Sequence, residues 1–317
     1  MTMVAELFNH FFDNYASFEY PLASAQLILA MLGMGALLAP QDFMLEIKAP
    51  RALLTGLGLQ WLVVPLIALV VASTLPVPAG IAAGIIVIAA VPGGTLSNIL
   101  THFGLGNIAL SISLTAITTV AALAVTPLLL ELMIGQHLPA NFDMPTASIL
   151  REIAQNLLLP LGIGMAARRL LGISKSEIFS RWVIRLSLAM IVLMAVGAGG
   201  SGRLDPKAYG LIGIIALTIF CLSLQIGAWF TTRMMRLSKR DTLAIVVEAS
   251  FRNMSLAVAI KALIFPAQTG QVDPIGDAIF FTTLLYAGIS LFMTLVPVIA
   301  HRRLRDTPDT VSATGSP

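Results

Sequence analysis

The chain has 317 residues, of which 57% are hydrophobic and only 11% charged, against about 25% charged in a soluble domain, so a water-soluble globular fold is excluded and an all-α polytopic membrane protein is expected. A single cysteine, Cys221, excludes a disulfide framework, a Cys-based metal site and a redox pair. The net charge of +3 falls in short basic clusters between apolar runs, the pattern of topology signals and not of a nucleic-acid surface.

The first twenty residues carry Glu6, Asp13 and Glu19 but no Lys or Arg, which does not fit a cleavable signal. Within them Val4, Leu7, Phe8, Phe11, Phe12 and Tyr15 fall at helical spacing, predicting an amphipathic interfacial helix over 1–20. Nine stretches then reach the roughly 20 apolar residues that cross a bilayer: 22–39, 51–72, 79–103, 107–135, 148–170, 181–200, 208–232, 242–264 and 277–300. Cys221 sits in the seventh, as a small buried hydrophobe. The polar end, 302–317, reads as a disordered tail.

The third stretch holds Pro92, Gly93 and Gly94 at its centre, followed by Thr95, Ser97 and Asn98. Proline removes a backbone donor and glycine weakens a helix, so backbone groups are freed at membrane depth. These are tolerated where they line a cavity or bind something; a packed kink is the plainer alternative. The eighth stretch places Glu248, Ser250, Arg252, Asn253 and Ser255 at the corresponding depth. Here the plainer alternative is a Glu248–Arg252 salt bridge at i,i+4 spacing.

The two polar centres lie five spans apart, and an odd offset inverts the second copy relative to the first. Span four begins at Asn107 and reaches Pro127, and span nine begins at Asp277 and reaches Pro297, twenty residues on in each. Spans one to four then match spans six to nine, giving repeats over 22–135 and 148–300 within one transmembrane domain. The basic residues orient it. Of the nineteen, fourteen fall on one side when the N-terminus is outside, and Lys and Arg gather on the cytoplasmic side. The outer side then holds Arg151, Arg203, Lys207 and Lys261, and Arg252 lies inside a span. A multi-pass protein of the cell's inner (plasma) membrane, N-terminus outside and C-terminus cytoplasmic, is expected.

Two discontinuous helices meeting at the midplane offer amide-rich ends to an anion and freed carbonyls to a cation. Na⁺ needs several oxygen ligands. Ser97 and Asn98 follow the first break, Ser111 and Thr115 share one helical face, and Glu248 supplies the formal charge. The competing account has the Ser111 and Thr115 hydroxyls bonded back to helix carbonyls. The four histidines have no metal spacing, and neither a phosphate loop nor a dinucleotide fingerprint occurs, so no cofactor is expected.

VPGGTLSNIL, GNIALSISLT, LGMGALLAPQDF and EASFRN together resemble the bile acid:sodium symporter family over roughly residues 22–300. The resemblance implies a core domain built on two crossing discontinuous helices, and a panel of spans one, five and six. It implies a first sodium site of Ser97, Asn98, Ser111, Thr115 and Glu248. The second would use Glu248, carbonyls near Ala249 and Phe251, Gln60, and a glutamine where this chain has Arg252. Thr95 and Asn253 are the positions offered for substrate. A guanidinium cannot ligate Na⁺. Arg252 either replaces the second sodium as a tethered cation, bonding Glu248 and Gln60, or grips a substrate carboxylate or sulfonate.

The function implied is sodium-coupled symport of a small organic anion of the bile-acid-like, pantoate or keto-acid class. A proton-coupled or uncoupled organic-acid carrier or exporter is the alternative. An integral membrane enzyme using Glu248 as acid or base is a more distant one, since no nucleophile–base pair accompanies that residue.

Overall fold

The computed structural model describes residues 10–38, 50–135, 142–202, 206–266 and 273–306. Val4, Leu7 and Phe8 of the expected interfacial segment, the loop end APQDF and the tail beyond Asp306 lie outside them. The described chain is helical: α1 Tyr15–Gly35, α2 Pro50–Thr74, α3 Ala79–Ala90, α4 Thr95–Phe103, α5 Ile108–Met133 and α6 over 146–171. There follow α7 Ile173–Gly200, α8 Pro206–Met234, α9 Lys239–Ser250, α10 Met254–Ile264 and α11 Pro274–Asp306. Five of these, α2, α5, α7, α8 and α11, are long and apolar enough to cross a bilayer uninterrupted. The protein is an all-α, multi-pass membrane protein.

Both polar centres are breaks. α3 stops at Ala90 and α4 starts at Thr95; α9 stops at Ser250 and α10 starts at Met254. The two gaps cross and pair antiparallel at Gly93 and Arg252. Gly94 N–H donates to the Phe251 carbonyl at 3.0 Å and Asn253 N–H to the Pro92 carbonyl at 2.9 Å. Each break thus meets the other's backbone demand, which is how irregular chain survives away from water.

α3 reads AGIAAGIIVIAA, apolar all round, and Gly80–Ala90 are buried accordingly. It is enclosed by α2, α5, α10 and α11. α2 widens into a π-turn at Leu59–Val63 just before Pro65, and α6 does so at Ile153–Leu158 before Pro160. In both, a proline without an N–H interrupts the ordinary ladder, and the first widening carries Gln60 inward, 2% exposed.

α1 packs against α6 and α7. A Cβ on Gly35 would lie 2.2 Å from the Leu161 carbonyl oxygen and one on Gly164 2.3 Å from that of Leu32, so the α1 and α6 backbones touch. The described part of the N-terminal segment packs on α7. From His10 it leads into α1, with Phe11 and Phe12 against Gly197 and Gly200 of α7, and the Tyr15 hydroxyl donating to the Met194 carbonyl at 2.9 Å. Lys261 is corrected: it is no surface topology signal but lies buried in α10, paired with Glu19 of α1 at 2.8 Å. Cys221 is free and buried.

Candidate functional site

Ser97, Asn98, Ser111, Thr115 and Glu248 come together beside the crossover, from α4, α5 and the last turn of α9. The Ser97 hydroxyl contacts Glu248 Oε2 and, at 2.6 Å, the Gly94 carbonyl. Ser111 Oγ lies 2.8 Å from Asn98 Oδ1 and 3.4 Å from Glu248 Oε2. Thr115 Oγ1 lies 2.7 Å from Glu248 Oε1, 3.0 Å from the Ser111 carbonyl and 3.4 Å from Asn98 Oδ1. These hydroxyls therefore do both things expected of them: Thr115 bonds back along its helix, and both turn to Glu248.

Three hydroxyls own three protons, yet they make seven close oxygen–oxygen contacts. The nest has more lone pairs than protons, and a carboxylate at 0% exposure. A hard monovalent cation, or a proton on Glu248, is the species such an oxygen surplus accommodates. Gly93 makes room for the Glu248 carboxylate, since a Cβ there would fall 2.0 Å from its Oε1.

Arg252 goes elsewhere. Among the described residues it forms no ion pair with Glu248, so the i,i+4 bridge offered as the plainer alternative is absent, as is the Glu248 half of the tethered-cation expectation. Helix α9 has ended at Ser250, and the spacing that would align the two side chains no longer applies. The guanidinium instead donates to Gln60 Oε1 at 2.8 Å, the Ala89 carbonyl at 3.1 Å, the Ile88 carbonyl at 3.4 Å and the Val91 carbonyl. Thr126 Oγ1 takes the Ala90 carbonyl at 2.8 Å. The orphan carbonyls at the C-terminal, negative end of α3 are thereby capped by one cation and one hydroxyl. Of the backbone oxygens expected at a second sodium site, that of Phe251 is occupied by Gly94 N–H.

On the other side of the crossover lies a cavity of about 860 Å³. Its wall includes Gly94, Thr95 and the segment Phe251–Ser255, the N-terminal ends of α4 and α10, together with α1, α7 and α11. Two positive helix ends therefore face it. Thr95 lines it. Asn253 does so too, while its Oδ1 caps α10 by accepting from Leu256 N–H at 3.1 Å. Gln26 and Ser187, joined at 2.9 Å, also line it, although neither is among the residues expected from the sequence. An amide within the apolar run of span one was the available signal.

A model of the Sodium Bile acid symporter family matches residues 25–201. A Bacillus subtilis (strain 168) protein named as the uncharacterized sodium-dependent transporter YocS is 28% identical over 259 residues, 80% of this chain and 76% of its own length. The probable sodium/metabolite cotransporter BASS1, chloroplastic, of Arabidopsis thaliana is 38% identical over 138 residues, 44% of this chain and only 33% of its own length. The probable sodium/metabolite cotransporter BASS6, chloroplastic, of the same plant is 28% identical over 255 residues, 77% of this chain and 61% of its own. With more than half of its residues matched by the family model, the chain belongs to the Sodium Bile acid symporter family.

Proposed function

We propose that the chain is a secondary transporter that couples Na⁺ to the uptake of an organic anion by alternating access. The observation that carries this reading is the oxygen nest around Glu248, set against a crossover whose two positive helix ends face a large cavity. In this reading Ser97, Asn98, Ser111, Thr115 and Glu248 hold one sodium. Arg252, with Gln60 and the α3 carbonyls, stands as a built-in cation where a second would bind. Its engagement with those carbonyls, at 3% exposure, favours this role over a fork for substrate. Thr95 and Asn253 meet the cargo. A cavity of about 860 Å³ with mostly apolar walls suits an amphipathic anion of the bile-acid-like size better than a pantoate or keto acid.

The nine apolar stretches are taken as nine spans, with α3–α4 and α9–α10 each making one, the N-terminus outside and the C-terminus cytoplasmic. α1, α6 and α7 form the panel and the remaining helices the core, all within one transmembrane domain. In that orientation the cavity opens to the cytoplasm. Ile99 and Phe292 on that side are 44% and 74% exposed, whereas Tyr15, Phe280 and Met194 at the opposite end are 0%, 0% and 3% exposed. One Na⁺ offsets the charge of a monovalent anion, which alone would cost about 2.3 kcal/mol per 100 mV to bring inward.

The test is uptake into proteoliposomes, screened over an organic-anion panel under an imposed Na⁺ gradient, H⁺ gradient or none. Sodium-driven uptake that Glu248→Gln abolishes is the expected result. Uptake indifferent to sodium in both proteins overturns symport, and uptake driven by protons alone reassigns Glu248 to proton transfer.

A further inference from the structure

A second cavity, away from the crossover, is a groove of about 510 Å³ between α8, α9 and α11. Its walls are Leu222 and Ile226 of α8, Leu243 and Val246 of α9, and Val296 of α11. At one end it is lined by Trp229, Arg233, Lys239 and His301. From Leu222 to Arg233 the groove runs roughly 16 Å at 1.5 Å per residue, a length that takes much of an acyl chain.

The polar end is cationic and uncommitted. Arg233 and Lys239 are exposed, and neither pairs with an acid among the described residues. Arg233 stacks 5.6 Å over the Trp229 ring, which holds it at the rim of the groove. The acid in the first turn of α9, Asp241, is turned away: it accepts from Ser238 Oγ and from Asn107 Nδ2, both at 2.7 Å. His301 is fixed by its Nδ1 bond to the Gly104 carbonyl at 2.8 Å. An apolar trough ending at an interfacial tryptophan and two free cations has the layout of a phospholipid: tail, interface, negative head group.

We infer that this groove is a binding site for one anionic phospholipid, its phosphate held by Arg233 and Lys239 and one chain lying against Leu222, Ile226 and Val296. Zwitterionic lipids fill it less well because two unpaired cations meet no net negative charge. In the orientation proposed above, the site faces the cytoplasmic leaflet, where anionic head groups concentrate. Val246 lies two residues before Glu248 on α9, so the bound lipid buttresses the helix that carries the sodium carboxylate.

The experiment is native mass spectrometry of the full-length protein, released from mild detergent after incubation with equal phosphatidylglycerol and phosphatidylethanolamine. It reads lipid retention alone, so it stands whether or not sodium symport does. One phosphatidylglycerol retained per chain is expected. Arg233→Gln with Lys239→Gln is expected to weaken retention about thirty-fold, taking about 1 kcal/mol for each cation. Ala300→Trp, at an exposed position in the groove, is expected to displace the lipid with Arg233 and Lys239 intact. Arg185→Gln removes an arginine that is also exposed and is stacked on Trp182 at 5.2 Å outside the groove, and leaves retention unchanged. Equal retention of both lipids, or retention unaffected by the double variant and by Ala300→Trp, or equally lowered by Arg185→Gln, overturns the site.

Discussion

Lys261 Nζ and Glu19 Oε1 meet at 2.8 Å, with both side chains 1% exposed, and so tie α10 of the crossover to α1. The ammonium also lies 5.5 Å from the Phe280 ring. Removing one partner of a buried pair strands the other charge at a cost of about 3–5 kcal/mol, whereas replacing both is often nearly neutral. Lys261→Met alone and Glu19→Gln alone are therefore expected to lower the thermal unfolding midpoint sharply, and the double variant to recover most of the loss. Under the proposed panel-and-core reading, the pair also joins the two bodies that part when the cavity opens at this end. In a Cys221→Ala background, a cysteine at Val258 should be alkylated faster when both charges are gone. Additive losses of stability, with unchanged alkylation, would show that the two residues act independently.

Gly93 carries a prediction of a different kind. With a Cβ 2.0 Å from Glu248 Oε1, alanine must push the carboxylate out of the oxygen nest. Gly93→Ala is expected to fold, since Gly93 is not among the positive-φ glycines, yet to lose sodium-driven uptake at least tenfold. Milder changes follow from the ligands: each of Ser111→Ala and Thr115→Val should raise the half-saturating sodium concentration about tenfold, for roughly 1–1.5 kcal/mol per oxygen lost. Sodium titrations of uptake decide, and an unaltered titration in Gly93→Ala would remove Glu248 from the site.

If Arg252 is the built-in cation proposed above, it limits coupling to one sodium. Replaced by Gln, its cation is gone while an amide oxygen returns beside Gln60 and the carbonyls of Ile88, Ala89 and Val91. The sodium dependence of uptake is expected to steepen, its Hill coefficient rising from about 1 toward 2, as a second ion takes the guanidinium's place. Arg252→Met leaves those carbonyls unpaired without ligand replacement and should instead destabilise the fold. An unchanged Hill coefficient in the Gln variant counts against the built-in cation.

The breaks and the oxygen nest were legible in the sequence because their residues violate their surroundings. Pro92, Gly93 and Gly94 cannot continue an apolar helix, and Glu248 cannot sit in one without a partner. Arg252 was legible in part: its bond to Gln60 was expected from the family resemblance, whereas its turn away from Glu248 was not. Its four-residue spacing from Glu248 implies a shared face only if the helix continues, and α9 ends between them. Nor was Lys261, which stands near the end of an apolar run like any topology-setting lysine; its partner is 242 residues away. Such pairings depend on how helices pack, and hydropathy carries no record of that. The same holds for the N-terminal aromatic residues, whose helical spacing fits a lipid interface and the flank of α7 equally well.

Gln26 offers a handle on the cargo. Its Nε2 donates to Ser187 Oγ at 2.9 Å, bridging α1 and α7 on the cavity wall, while Oε1 is buried without a donor among the described residues. A buried acceptor left open costs about 1–3 kcal/mol, and a hydroxyl on the substrate would satisfy it. Gln26→Leu removes that acceptor while keeping the side chain's bulk. It is expected to raise KM about three- to tenfold for a hydroxylated anion and to leave its deoxy counterpart unchanged or improved, since a net hydrogen bond contributes roughly 0.5–1.5 kcal/mol. Uptake measured for a matched pair of such anions provides the check. Equal losses for both would mean that the amide only ties α1 to α7.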